Sequence, residues 1–282
     1  MIASENRGRV LRRLFRRPLT VIGLFLILAN IVMVLFAPVL SPYNPEEMHL
    51  KDRHSPPSMK YLLGTDFYGR DILSRIIHGS RISFTLGLSV VAGGLLFGTT
   101  LGLVAGYFGG RVDSLLMRVT DIFLAFPQMV FAMAIMSVRG QGFGNVVLAL
   151  TLTGWTAFAR LVRAEALSLR DLEFVQAVQS LGARTPRILF RHLLPNLMAP
   201  IIVQATMGMA TPILTEAALT FLGIGIPPNV PSWGGMLSVD RDFMETAWWS
   251  VTFPGLAIAC TVLGFNLFGD GLRDALDPKL RA

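Results

Sequence analysis

The sequence predicts an all-α polytopic membrane protein of about six transmembrane helices, with both ends on the cytoplasmic side. Three observations predict it. Apolar residues make up 52% of the 282 and charged residues 15%, well under the ~25% of ordinary soluble domains, and the mean hydropathy is +0.57. Six apolar runs approach the roughly 20 residues that a membrane-crossing helix needs. Lysines and arginines are shared unequally, 17 in the segments placed inside and eight in those placed outside, which orients the chain and requires an even number of spans.

Residues 1–19 form a basic tail that carries Arg7, Arg9, Arg12, Arg13, Arg16 and Arg17 and should stay in the cytoplasm. The first span covers 20–40. Its apolar run is too long for a signal peptide and no Ala-x-Ala site follows, so it reads as an uncleaved anchor. Residues 41–80 form an outer loop rich in proline and polar residues, where Glu46, Glu47, Asp52, Asp66 and Asp71 nearly balance six bases. Within it, 71–78 can form a short amphipathic helix along the outer interface, with Ile72, Leu73, Ile76 and Ile77 turned inward.

The second span covers about 82–108 and carries Gly94, Gly98, Gly102, Gly106 and Gly110 at four-residue intervals. Such a stripe lets another helix approach closely, either within the chain or across a subunit seam. The third span covers 115–138, the fourth 146–161, the fifth 197–222 and the sixth 248–268. Pro200, Pro212 and Pro254 should bend the last two. Trp233, Trp248 and Trp249 suit an aromatic belt at the outer interface.

The acids near or within the spans are Asp121, Glu165, Glu216 and Asp270. Charge in hydrocarbon is costly, so Asp121 and Glu216 are candidates for a translocation path, or else hydrogen-bonded structural acids. No basic residue sits mid-span to pair with them.

Other chemistries are poorly served. The net charge of +7 lies beside apolar spans without aromatic interleaving, which argues against nucleic acid. The single cysteine, Cys260, excludes an intrachain disulfide. His49, His54, His78 and His192 are too scattered for a metal site. Neither a Gly-x-x-x-x-Gly-Lys-(Ser/Thr) loop nor a His-Glu-x-x-His or Gly-x-Ser-x-Gly motif occurs. The chain therefore binds no cofactor of its own, and energy for transport must come from a partner or an ion gradient.

The longest polar break in the second half is DLEFVQAVQSLGARTPRILFRHLLPN, 171–196, inside an inner loop of 163–196. It holds Arg184, Arg187 and Arg191, with Arg170 just upstream. Leu181-Gly182 is a helix-ending pair, because glycine accepts the left-handed conformation. Thr185-Pro186 reads as an N-cap followed by proline at the first helical position. Leu194-Pro195 should close the second helix. Two short helices with a break make a rigid shape that another protein can grip.

Gln176-Ala177-Val178, three residues through Leu181, Gly182-Ala183, and later Leu194-Pro195 resemble the coupling-loop motif of bacterial ABC importer permeases. That motif reads Glu-Ala-Ala, three residues, Gly, nine residues, Ile, one residue, Leu-Pro. Here Gln176 stands for the acid, Val178 for the second alanine and His192 for the isoleucine. These departures are similar to those of the dipeptide/oligopeptide/nickel branch. So are LGTDFYGRDILSRIIHGSRISF at 63–84, FLGIGIPPNVPSWGGML at 221–237 and FNLFGDGLRDALDPKL at 265–280.

The resemblance implies one N-terminal helix followed by a five-helix type I ABC importer core over 81–282. It implies a bacterial inner-membrane subunit paired with a homologous second permease. Two cytoplasmic ABC ATPases, which hold ATP and magnesium, would dock on Gln176, Ala177, Val178, Leu181, Gly182, Ala183, Arg187, His192, Leu194 and Pro195. An extracytoplasmic solute-binding protein would deliver a dipeptide, oligopeptide, glutathione or nickel chelate. A gradient-driven carrier is the alternative; it needs paired inverted halves and polar clusters at mid-membrane. An intramembrane enzyme needs a matched acid–base or metal constellation.

Overall fold

The computed structural model describes residues 14, 15 and 17–276. The rest of the basic tail, and 277–280 of the last motif, lie outside the described residues. Helices account for nearly all regular structure. They are α1 (Pro18–Leu40), α2 (Ile72–Phe108), α3 (Gly110–Ala125), α4 (Gln128–Arg139), α5 (Phe143–Arg170), α6 (Glu173–Ser180), α7 (Thr185–Arg187), α8 (Leu194–Met207), α9 (Ala210–Phe221), α10 (Trp233–Asp240) and α11 (Trp248–Leu276). A π turn at Ile188–Leu193 joins α7 to α8. Five helical bodies are long and apolar enough to cross a membrane, and the bent pair α3–α4 makes a sixth if counted as one span.

Several spans differ from expectation. The third is two helices bent by 81° at Phe126-Pro127. Proline forces its predecessor out of the helical region, and Phe126 is extended at φ −92°, ψ 130°. The apolar composition runs straight across this break, which hid it. The helix expected at 71–78 is the first two turns of α2. Asp71 caps it by accepting from the Ser74 N–H at 2.8 Å, and nothing stops the helix until Gly109 at φ +63°. Ile72, Ile76 and Ile77 are buried against the protein instead of lying along an interface.

The fourth and sixth spans also outrun their apolar cores. Helix α5 continues to Arg170, with Val162 and Ala166 buried in the packed cluster, Arg160 and Arg163 paired with Asp121 and Asp113 of α3, and Arg170 donating to the Gly106 carbonyl. In the fifth span the break falls at Gly208–Met209. Pro212 lacks the N–H that would bond the Gly208 carbonyl and its ring crowds that oxygen. Pro195 does not close a helix. Leu194 donates to the Leu189 carbonyl five residues back, and this wider turn accommodates the proline.

The glycine stripe packs within the chain. Gly94, Gly98, Gly102 and Gly106 of α2 lie on Gly154, Trp155, Ala159 and Ala166 of α5. A side-chain carbon at Gly102 would stand 2.6 Å from the Ala159 carbonyl oxygen.

The basic segments gather at one end. Arg17 pairs with Asp274, and Arg170 donates to the Gly106 carbonyl beside the α2–α3 reversal. The opposite end is a hydrogen-bonded cap. Its irregular segments are tied by His54–Asp240 at 3.0 Å, Gln141 to the Gly223 carbonyl, and Trp249 to the Thr65 carbonyl. Trp233 is fully buried and donates to the Ile76 carbonyl at 3.0 Å. Of the three tryptophans expected in an aromatic belt, only Trp248 faces outward; Trp233 and Trp249 instead lock the cap to α2 and the 41–71 loop.

Candidate coupling segment

The segment after α5 is built as a platform with an exposed upper surface. Helix α6 ends in a Schellman turn, with Gly182 N–H bonded to the Gln179 carbonyl at 2.9 Å and Ala183 N–H to Val178 at 3.3 Å. Gly182 sits at φ +75° in open space. Helix α7 then begins at Thr185 with Arg184, not Thr185, in the N-cap position and no side-chain cap. Thr185 is therefore already helical, and Pro186 takes the second helical position.

Underneath, Val175, Ile188, Leu189, Leu193 and Leu197 pack with Leu103 of α2 and with Val162 and Ala166 of α5. Burial of this size, ~1.5–3 kcal/mol for each large aliphatic side chain, holds the segment rigid. Gln179 also donates to the Tyr107 hydroxyl at 3.3 Å.

Above, Gln176, Ala177, Leu181, Gly182, Arg187 and Pro195 are exposed, while Val178, Ala183, His192 and Leu194 are half-buried. The outward surface is apolar where an isolated protein gains nothing from it. Leu181 is 86% exposed, and Leu172 and Phe174 stand out on the same segment. Gln176, in the position of the motif's acid, donates to the Asp171 carbonyl at 3.1 Å and closes the first turn of α6.

Asp121 and Glu216 are not brought together. Asp121 on α3 pairs with Arg160 at 2.6 Å on an exposed face, so a basic partner exists after all, at the inner end of α5. Glu216 on α9 is fully buried. It accepts from the Thr220 hydroxyl at 2.9 Å and faces the Ser83 hydroxyl at 3.4 Å. Thr220 in turn accepts from the Ile226 N–H, so Glu216 anchors the turn after α9.

In the cap, hydrogen bonds from Lys60 at 2.7 Å and Tyr61 at 2.8 Å hold the Asp52 carboxyl below its ordinary value. Burial pushes Asp240 upward, outweighing its hydrogen bonds from His54 and the Phe67 N–H. Among the described residues no group of three or more His, Cys, Asp or Glu could hold a metal.

Residues 98–282 match a family described as binding-protein-dependent transport system inner membrane component, and 7–57 match the N-terminal TM domain of oligopeptide transport permease C. The chain is 46% identical over 271 residues to a dipeptide transport system permease protein of Alkalihalophilus pseudofirmus, covering 96% of this chain and 89% of that one. It is 46% identical over 265 residues to a di/tripeptide transport system permease protein of Pseudomonas aeruginosa, covering 92% and 88%. A glutathione transport system permease protein of Pectobacterium atrosepticum is 44% identical over 272 residues, covering 96% and 90%. Among solved structures, the methionine ABC transporter MetNI in an inward-facing conformation aligns with a TM-score of 0.60 at 15% identity. That alignment covers 73% of this chain and 98% of that one, a likeness of fold.

Proposed function

We propose, for a chain that belongs to the binding-protein-dependent transport system inner membrane components, that residues 173–187 are its contact with a cytoplasmic ATPase and that its solute is a peptide. Membership makes it a multi-pass permease subunit of an ATP-driven importer in the inner membrane, a transport component and not an enzyme. Its ATPase and permease partners follow from membership; a homologous second permease, two ATPases and an extracytoplasmic binding protein are the finer composition proposed here. Paired inverted halves, the mark of a gradient-driven carrier, find no support.

The observation that carries the coupling role is the exposed apolar surface of Phe174 and Leu181, with Leu172 at its edge, on a platform anchored by buried Val175, Ile188 and Leu193. A docking partner covers such a surface; a flexible loop would not present it. ATP-driven closure of the ATPases would draw two such platforms together and rock the helices behind them. The peptide assignment is supported by the relatives named for dipeptide, di/tripeptide and glutathione transport.

The test is Gly182→Val in the reconstituted complex with its binding protein. A Cβ added at Gly182 meets nothing within 4 Å, so the substitution starts in open space. It strains only the turn, by roughly 1–2 kcal/mol for a non-glycine residue in the left-handed region. The variant should insert and assemble, yet lose binding-protein-stimulated ATP hydrolysis and dipeptide uptake, while Gly182→Asn retains both. Normal stimulated hydrolysis in Gly182→Val would sink the coupling assignment.

A further inference from the structure

A sharp helix bend and a milder helix interruption line one cavity. The α3–α4 bend at Phe126-Pro127 and the α8–α9 break at Gly208–Met209 open on a common cavity of about 430 Å³ between α2, α5 and the two broken spans. Gln204 on its wall lies ten residues beyond Leu194, about 15 Å along the helix axis. That is half of the ~30 Å hydrocarbon thickness. Irregular backbone at membrane depth is tolerated only where protein buries it or where it lines a wet cavity. Phe126 and Pro127 are exposed in this chain.

The wall has a particular chemistry. Its polar side chains are Gln128, Gln204, Thr153, Thr156 and Thr211, and no charged side chain lines it. Thr153 and Thr156 already donate to the Leu150 and Thr153 carbonyls, which leaves the two amides and Thr211. A glutamine amide offers donors and an acceptor together, matching the N–H and C=O of a peptide group. A charged wall would hold a zwitterion too firmly, whereas a path must bind weakly enough to release.

Gln204 also lines a second cavity of about 590 Å³, which runs toward the basic end past Asn196 and carries Glu165 and Arg273. The two cavities therefore share a wall residue. Glu165 and Arg273 bring charges of opposite sign to the second cavity alone. By contrast, the cavity of about 540 Å³ beside α1 has only threonine hydroxyls among apolar side chains. Neither Asp121 nor Glu216 lines any of the three.

We infer that the cavity at the two breaks is this subunit's half of the solute path, that Gln128, Gln204 and Thr211 contact the backbone amides of a passing peptide, and that Gln204 passes it to the Glu165–Arg273 vestibule. The ligand class rests on the peptide reading above; the wet path does not.

The experiment uses the assembled transporter in lipid nanodiscs with Cys260, the single native cysteine, replaced by alanine. Gln204→Cys and Thr211→Cys are compared with Ile202→Cys, an exposed apolar position on α8, by reaction with a membrane-impermeant cationic methanethiosulfonate. Both should react at least ten times faster than Ile202→Cys in the nucleotide-free state. Separately, Gln204→Leu should lower dipeptide uptake per ATP hydrolysed about tenfold, with Gln204→Asn intermediate. Reaction as slow as at Ile202→Cys, or unchanged uptake per ATP in Gln204→Leu, overturns the inference. Fast reaction at both introduced cysteines, together with a wild-type complex that transports no dipeptide, keeps the wet path and overturns the peptide assignment.

Discussion

Replacing Gly102 by alanine tests whether the α2–α5 contact is set by the glycine stripe. The added carbon would stand 2.6 Å from the Ala159 carbonyl oxygen, 2.9 Å from the Val162 Cβ and 3.0 Å from the Arg163 nitrogen. Two of these are backbone atoms and cannot turn aside, so the helices must part by most of an ångström. A gap of that size forfeits a quarter to a half of each van der Waals contact along the seam, and overpacking of this kind costs about 1–3 kcal/mol. Alanine's helix propensity returns at most about 1 kcal/mol. Gly154, on the facing helix of the same seam, is the control. Its added carbon meets only the Val90 Cγ1 at 3.7 Å, an ordinary contact, so Gly154→Ala should be neutral or gain about 0.5–1 kcal/mol. The two variants should therefore differ in Tm by about 5 °C, at about 2–4 °C per kcal/mol for a chain of this size. Thermal unfolding of the purified chain in nanodiscs, followed by tryptophan fluorescence, measures it. Equal melting of the two variants would refute the claim that close backbone approach, and not general helix propensity, explains the stripe.

Asp113→Asn removes the carboxylate that Arg163 grips with two nitrogens, one of them at 2.6 Å. Because Arg163 is a third exposed, the loss should be about 1 kcal/mol, read as a lower Tm that double substitution with Arg163→Gln does not lower further. Asp240 gives a pH prediction for the cap, where it faces His54, Asp66 and Arg75. Its folded value is raised by burial, so its contribution is complete below the ordinary value of 3.8 and is lost as pH climbs through the raised one. Amide exchange at Phe67, whose N–H bonds Asp240 at 3.0 Å, should show opening that eases as pH rises through that window. Asp240→Asn should flatten this dependence, and an unchanged profile would show that another group titrates.

What the sequence made legible was local chemistry. The Leu181-Gly182 stop needs only the conformational freedom of one glycine, and the structure shows that turn with φ +75°. The spans were legible as apolar runs, but their true ends were not. Helix α2 extends 10 residues outward of the apolar run and α5 nine residues inward, where Asp71, Asp113 and Asp121 supply caps and ion pairs that only the fold brings near. The break at Pro127 was invisible, since Phe126-Pro127-Gln128 changes hydropathy too little to interrupt a window of about 20 residues. Gln204 was passed over for a related reason. A lone glutamine in an apolar run carries no signal until a second break, from another span, is placed beside it. Trp233 was misread because an aromatic near an outer loop fits a membrane belt as well as a buried anchor.

On the proposed reading, the coupling platform and the cavity are parts of one mechanical body. Thr185–Phe221 runs as a single stretch long enough to span a membrane. Its inner part is clamped to α2 and α5 through Ile188, Leu189, Leu193, Leu197 and Ile201. Beyond that clamp the α-helix is next interrupted at Gly208, where the Gly208 N–H bonds the carbonyl of Gln204 at 2.8 Å. On the proposed reading, a push on 173–187 cannot be absorbed in the platform, whose packing admits no slack. It is delivered to the first compliant point, which is one turn from the side chain that faces the solute. Coupling thus needs no chain of separate contacts between the ATPase surface and the path. It needs a stiff helix, a glycine turn at one end and a proline-weakened joint at the other.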